Sequence, residues 1–397
     1  MNAVRTTVAV LLLAASSLTV HAQNATDSGS TVQAILGVLV TNQGVQTANF
    51  DRDRAAAEAT RATLERALLA AIATLPVSSS SGGFVYRLSE SLGTVERATT
   101  DFGPFFVERP LTSGRGQASA AFTFQYASFQ SLDGNDLQDG SFVTTANQFT
   151  DESAPFDVET LTLDVSTRTA TLHGTVGVTD RLDIGAAIPI VRLDVSGTRV
   201  NVYRGTALPQ VHAEAHTIGP GDISLRTKLR LAGDGANAAA AGLEVRLPTG
   251  SADDLIGAGK SAWRLLGMAS GGRGRAGFYG NGVVGFGGIG REISISGAAT
   301  MAASERLTLV GEVLSQHVIG MPRITAAAEP HPRIQGVNTL RLVPSEEDQT
   351  AVYAVAGAKW NMAATWLLHA HVLFPLTDAG LTTRVTPTVT LEYAFTR

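Results

Sequence analysis

The chain has 397 residues, of which 16% are charged, with a formal net charge of -5 and no cysteine. The acidic balance argues against nucleic acid as a partner. The absence of thiols excludes disulfides, thiolate metal sites and a lipid-modified amino terminus.

Residues 1–22 read as a secretory signal peptide. Arg5 gives a weakly positive start, Thr7 to Val20 form an apolar core, and Val20-His21-Ala22 puts small residues at a cleavage site. The core is shorter than the roughly 20 residues a spanning helix needs, so a helical anchor is disfavoured. Residues 23–115 form an N-terminal region that is either periplasmic or plugs a lumen. Within it Val32 to Val40 is apolar but too short to span. Residues 52–75 carry helical periodicity, with Leu64, Leu68, Ala71 and Leu75 on one face, Asp51 or Asp53 as cap and Pro76 as stop. Ser78 to Gly83 reads as a joint. Phe84 to Arg87 and Thr94 to Arg97 then pair as a small hairpin.

From residue 116 to 397 the period is two. In 222–231, Ile223, Leu225, Thr227, Leu229 and Leu231 point one way, and Asp222, Ser224, Arg226, Lys228 and Arg230 the other. Similar strands are expected at 117–130, 157–177, 181–195, 239–247, 261–270, 275–287, 292–301, 307–316, 352–360 and 366–374. At 389–395 the final strand places Val389, Leu391, Tyr393 and Phe395 on one face. The total is twelve, an even number, as single-chain bacterial barrels require. Short turns (178–181, 233–237, 271–274, 303–305, 361–364) alternate with long links (131–156, 196–220, 249–260, 318–349, 376–383), as periplasmic turns alternate with extracellular loops. The link at 288–291 is too short for its side. The expected fold is therefore all-β: an antiparallel transmembrane barrel of about twelve strands with a small N-terminal helical and hairpin region. Its place is the bacterial outer membrane, with the lipid bilayer as one partner. The barrel-assembly machinery, engaging strand 389–395, is another.

Charge fixes the register. A basic residue turned to the bilayer midplane costs about 2–4 kcal/mol, so the charged face must be the lumen. Arg226, Lys228, Arg230, Glu244, Arg246, Glu292, Glu312, Lys359, His369, His371, Arg384 and Glu392 then line it. Their mixed signs fit either a salt-bridged lumen or a selectivity lining.

The blocks VGVTDRLDIGAAIPIVRLDV (176–195), GPGDISLRTKLRL (219–231), GLEVRLPTGSADDLIGAGKSAWRLLGMAS (242–270) and DAGLTTRVTPTVTLEYAF (378–395) resemble the outer-membrane transporters grouped under the meta-pathway of phenol degradation. The resemblance covers most of 155–395, with weaker similarity through 78–130. It implies a β-barrel that passes small hydrophobic or aromatic molecules, and it transfers no site residue.

Other motifs have competing readings. Gly272 to Gly277 and Gly285 to Gly290 match the dinucleotide spacing GxGxxG. Strand-like Gly-rich sequence follows them, so bends or close backbone packing explain them better. In an extended segment His212, Glu214 and His216 share one face and could chelate a divalent metal, although polar residues are ordinary in a long loop. His369 and His371 read as lumen histidines. The rival is a hydrolase pairing one of them with Ser315, for which no orienting group or oxyanion donor is legible. The expectation is a non-enzymatic channel without cofactor for small, hydrophobic or aromatic solutes. The alternative is a structural or surface-binding barrel.

Overall fold

The two-residue alternation produces strands that pair in sequence order until the last meets the first. The computed structural model describes residues 31–40, 61–72, 83–84, 86–89, 94–331, 334–363 and 365–395. The predicted leader and both ends of helix 52–75, with its cap and stop, lie outside the described residues. Twelve strands form the wall: β1 (Ala118–Leu132), β2 (Asp157–Gly177), β3 (Leu182–Tyr203), β4 (Ile223–Ala232), β5 (Ala238–Leu247), β6 (Ala262–Arg273), β7 (Ala276–Gly287), β8 (Arg291–Ser304), β9 (Leu307–Pro330), β10 (Val337–Ala363), β11 (Trp366–Pro375) and β12 (Thr386–Phe395). Each is antiparallel to the next, and β12 pairs back with β1 from Thr388↔Gln125 to Phe395↔Ala118. Closure leaves no unpaired edge at membrane depth, the condition for a sheet to cross lipid.

The barrel is apolar outside and polar inside. Leu225, Leu229, Ile293, Ile295, Leu309 and Val313 are exposed on the outer face, while Lys228, Glu244, Glu312, Lys359 and Glu392 are buried. Only hydrocarbon suits such an exterior, so the chain spans a membrane through its strands. Aromatic side chains mark both rims. Trp366 packs on Tyr393 and Tyr393 on Phe395 (centroids 4.9 and 4.7 Å apart) beside the turn at Thr365. Trp263 and Phe286 are exposed cross-strand partners at the opposite rim.

The long links differ from expectation. Segments 196–220 and 318–349 are largely strand rather than loop. β3 runs on to Tyr203, turns at Arg204 and Gly205 (φ 47° and 81°), and returns as a strand over Thr206–Pro220. β9 and β10 rise to Pro330 and from Val337. A further strand, Val143–Phe149, joins β10 to β2. Above the bilayer a strand needs no apolar outer face, so polar residues there gave the appearance of loops. The wall is therefore tall around β2, β3, β9 and β10 and low over β5 to β8. The short link at 288–290 belongs to this low side, where Gly287 and Gly288 take positive φ.

Two helices occupy the upper interior. Val32–Val40 forms α1, whose first turn is capped by Thr31 Oγ1 accepting from Ala34 N at 3.2 Å. Residues 61–72 form α2. Leu36, Leu39, Leu64 and Leu68 join one buried apolar cluster with Phe129, Leu163, Val165, Leu193 and Val195 of the inner wall. Gln33 Nε2 donates to Glu65 Oε2 at 2.9 Å, tying the helices together. The predicted hairpin forms with its first strand two residues later than expected, pairing Tyr86–Ser89 with Thr94–Arg97.

Candidate functional site

Three layers fill the lumen. The first is a belt of charge on the inner wall. Glu244 (β5) is 1% exposed and faces Arg226 of β4 and Arg264 of β6 across the ladder. It accepts from Arg226 Nε at 2.6 Å, Arg246 Nε at 2.9 Å and Arg264 Nη1 at 3.3 Å. Arg264 Nη2 continues to Glu292 at 2.5 Å. That bond crosses β7 at Gly285, which lies between the two side chains in the cross-strand row; a Cβ there would press on both. The Gly-rich run is thus wall geometry. Lys228 pairs with Asp183 at 3.8 Å, and His369 Nε2 with Glu392 at 3.2 Å. A buried charge is tolerable only when so paired.

The second layer is the segment 101–113, which runs inside the barrel and is clasped by that wall. Backbone N–H groups of Phe105, Phe106 and Val107 all donate to the Glu312 carboxylate, the last two at 3.0 Å. Lys359 Nζ donates to the carbonyls of Phe102 and Pro104, at 3.3 and 2.5 Å, and lies over the Phe105 ring. Glu108 exchanges two backbone hydrogen bonds with the Asn281 amide, at 2.6 and 3.0 Å, and its carboxylate meets Arg226 Nη1 at 3.1 Å. Asp101 accepts from Tyr279 and Thr300. Ser113 donates to Asp183 through both its backbone N–H and its hydroxyl. Phe105 stacks on His371 with centroids 4.2 Å apart. Just upstream, Gly83 N donates to Glu392 at 2.7 Å. An extended backbone has no internal partners for its amides, so inward polar side chains of the wall supply them.

The third layer is a cavity between the wall and the inserted pieces. Thr123 and Gln125 (β1), Thr171 and His173 (β2), Ser224 (β4) and Thr388 (β12) line its wall side. Phe106, Ile72 of α2 and Ile256 of the 248–261 link line the other. That link is held by Asp222, which accepts from Gly250 N at 3.0 Å and Ala258 N at 2.8 Å.

Of the residues expected inside, Arg226, Lys228, Arg230, Glu244, Arg246, Glu292, Glu312, Lys359, His369, His371 and Glu392 lie on inward strand positions. Arg384 does not. It is exposed at the bend that precedes β12, where the strand period that would turn it inward has not begun. Arg264, Asp183 and Asn281 were missed. Arg264 was legible between Trp263 and Leu265, but its strand is Gly-rich and its register was open. Asp101 and Glu108 carried no signal, because an extended lumen segment has no periodicity. Ser315 is on the opposite parity from Glu312 and Leu314, pointing away from His369 and His371, so the Ser-His pairing does not form. His212, Glu214 and His216 sit along the exposed face of Thr206–Pro220, and His212 Nδ1 is 2.9 Å from Thr198 Oγ1. Among the described residues no three His, Asp or Glu side chains converge as metal ligands.

No family model and no curated protein matches this chain. Among solved structures it is similar to an outer membrane channel from Pseudomonas putida F1, with 12% identity and TM-score 0.48 over 72% of this chain and 97% of that one. The toluene transporter TbuX of Ralstonia pickettii matches at 8% identity and TM-score 0.30, over 71% and 90% of the two chains. The outer membrane protease OmpT of Escherichia coli matches at 9% identity and TM-score 0.29, over 70% and 97%. Likenesses this distant assign no activity to the chain, and the function is argued from its own lumen.

Proposed function

We propose that the protein is a plugged outer-membrane channel for small, hydrophobic or aromatic solutes. The observation that carries this reading is the 101–113 segment, which runs inside a closed barrel, its backbone bound by polar side chains of the wall and its Phe105 and Val107 packed on inward apolar ones. A segment bound to the wall by side chains, and not itself a strand of the sheet, can open locally at less than the cost of unfolding the barrel, so it can shift while the wall stays intact. The helices α1 and α2 obstruct the upper half through apolar contacts, a surface over which an apolar solute can slip. Selection then rests on pore width, lining charge and access, with no bond chemistry. The low wall over β5 to β8 supports a route for apolar solute toward the bilayer once the helices move. On this reading residues 23–115 are the plug, and β12, ending at Phe395, is the strand offered to the barrel-assembly machinery.

Deleting residues 27–112 tests it. Conductance in planar bilayers should rise, and liposomes carrying the truncated barrel should swell faster with aromatic and fatty solutes than with sugars. Unchanged conductance from a barrel that still assembles would favour the structural or surface-binding alternative, in which the tall extracellular sheet contacts partners.

A further inference from the structure

Four inward polar atoms converge on the cavity beside Phe106 without a hydrogen-bond partner: Gln125 Nε2, His173 Nε2, Ser224 Oγ and Thr388 Oγ1. Gln125, Ser224 and Thr388 are 8%, 2% and 3% exposed, so bulk water does not serve them. They come from four strands, yet two cross-strand rows bring them together. Gln125 is the direct partner of Thr388 across the β1–β12 seam. Ala187 of β3 joins His173 to Ser224 as partner of both. Elsewhere many inward polar groups of the wall bind the 101–113 segment or enter ion pairs, and the unpartnered ring nitrogens of His371 belong to an imidazole covered by Phe105. A concentration of unmet donors in one place is the mark of a site shaped for something that brings its own acceptor. The inserted pieces contribute apolar groups to the same space: Phe106 of the lumen segment, Ile72 of α2 and Ile256 of the 248–261 link. The two charged residues on its lining are already engaged, Arg246 by Glu244 and Asp222 by the backbone of that link, which leaves a neutral molecule as the fitting occupant.

We propose that this cavity is a solute-binding chamber for a small neutral amphiphile, with a carbonyl or hydroxyl directed at Gln125, Thr388, Ser224 and His173 and an apolar body against Phe106, Ile72 and Ile256. The proposal deepens the channel reading and rests on it for the route by which the molecule arrives. At about 80 Å³, roughly half the volume of a cavity that accepts benzene, the space suits a molecule of about three to four non-hydrogen atoms. Gln125 Nε2 can only donate, so the molecule must accept at that point. The two hydroxyls and the imidazole can take either role. An occupied chamber touches three inserted pieces at once: the lumen segment at Phe106, α2 at Ile72 and the 248–261 link at Ile256.

The test uses the full-length protein in lipid nanodiscs and two probes of equal size, acetone and isobutane, followed by saturation-transfer NMR. Acetone should give a saturable signal that Ala187→Phe, which fills the cavity, abolishes. The pair Gln125→Leu and Thr388→Val should weaken acetone about tenfold or more, because a site built to hydrogen-bond a group discriminates strongly for it. Isobutane should respond little to that pair. Heat-modifiable migration confirms that each variant is a closed barrel. Equal acetone signals in all three proteins would mean partition into lipid and a cavity holding ordered water only, and would overturn the chamber. Liposome swelling run in parallel separates the two claims. Swelling without a saturable site leaves the channel and removes the chamber. A saturable site without swelling, even after deletion of residues 27–112, keeps the chamber and removes the channel.

Discussion

At Glu312 one carboxylate takes the backbone N–H groups of three successive residues, Phe105 to Val107, and the side chain is itself only 3% exposed. Glu312→Leu therefore leaves those amides without acceptors, each at about 1–3 kcal/mol if buried. The expected outcome is a loosened segment in an intact wall. Single-channel recordings should show longer or more frequent openings than wild type, with unchanged heat-modifiable migration. The outer face behaves oppositely. Leu229→Arg places a cation against hydrocarbon at about 2–4 kcal/mol and should lower the yield of assembled barrel. Arg230→Leu, one position along and turned inward, should not; quantifying folded and unfolded bands on a gel distinguishes them. The parity that separates these two residues was readable from sequence, because a charge beside lipid is so costly. Which inward charges would meet was not readable. Arg264 reaches Glu292 only because Gly285 leaves space between them, and Glu108 enters the network from a segment that no periodicity announces.

At the scale of elements, every barrel strand was anticipated, most boundaries within a few residues. The larger errors fall above the membrane. There the sheet continues in Thr206–Pro220 and in the tops of β9 and β10, but the solvent changes, and apolar alternation ceases to be required on the outer face. Helix α2 was legible from Leu64 and Leu68. Its location was not, since the same stripe would serve a helix packed on any apolar surface. The structure buries both residues in the cluster that includes α1 and the upper wall. Leu68→Asp puts a carboxylate into that cluster without a partner, which costs several kcal/mol by desolvation. The expected effect is release of α2 with the barrel preserved, measured as faster proteolysis within 61–72 by an externally added protease and as raised solute flux.

For the whole molecule, the membrane boundary is written in its aromatic side chains. The chain has three tryptophans, and Trp263, Trp360 and Trp366 are all exposed on the outer surface. Trp263 lies at the rim of the long links, and Trp360 and Trp366 at the rim of the short turns. From Trp263 to the end of β6 at Arg273, eleven residues of tilted strand cover about 25 Å, the height of an outer-membrane apolar band. Lipids brominated near the headgroup should therefore quench the tryptophan fluorescence more than lipids brominated near the chain ends. Stronger quenching from the chain ends would displace the barrel in the bilayer and undo the assignment of its rims.

The clasped segment runs directly into β1: Ser113 is bound to Asp183, Gly116 N donates to the carbonyl of Gly177 at 2.8 Å, and Ala118 opens the strand. The lumen segment is therefore covalently leashed to the wall by only a few residues. A leash this short holds the segment near its clasps at an effective concentration of millimolar order or higher, so recapture is unimolecular and indifferent to how many copies the cell makes. On the plugged-channel proposal each opening is then brief by construction, and the pore's resting condition is shut without a separate closing factor.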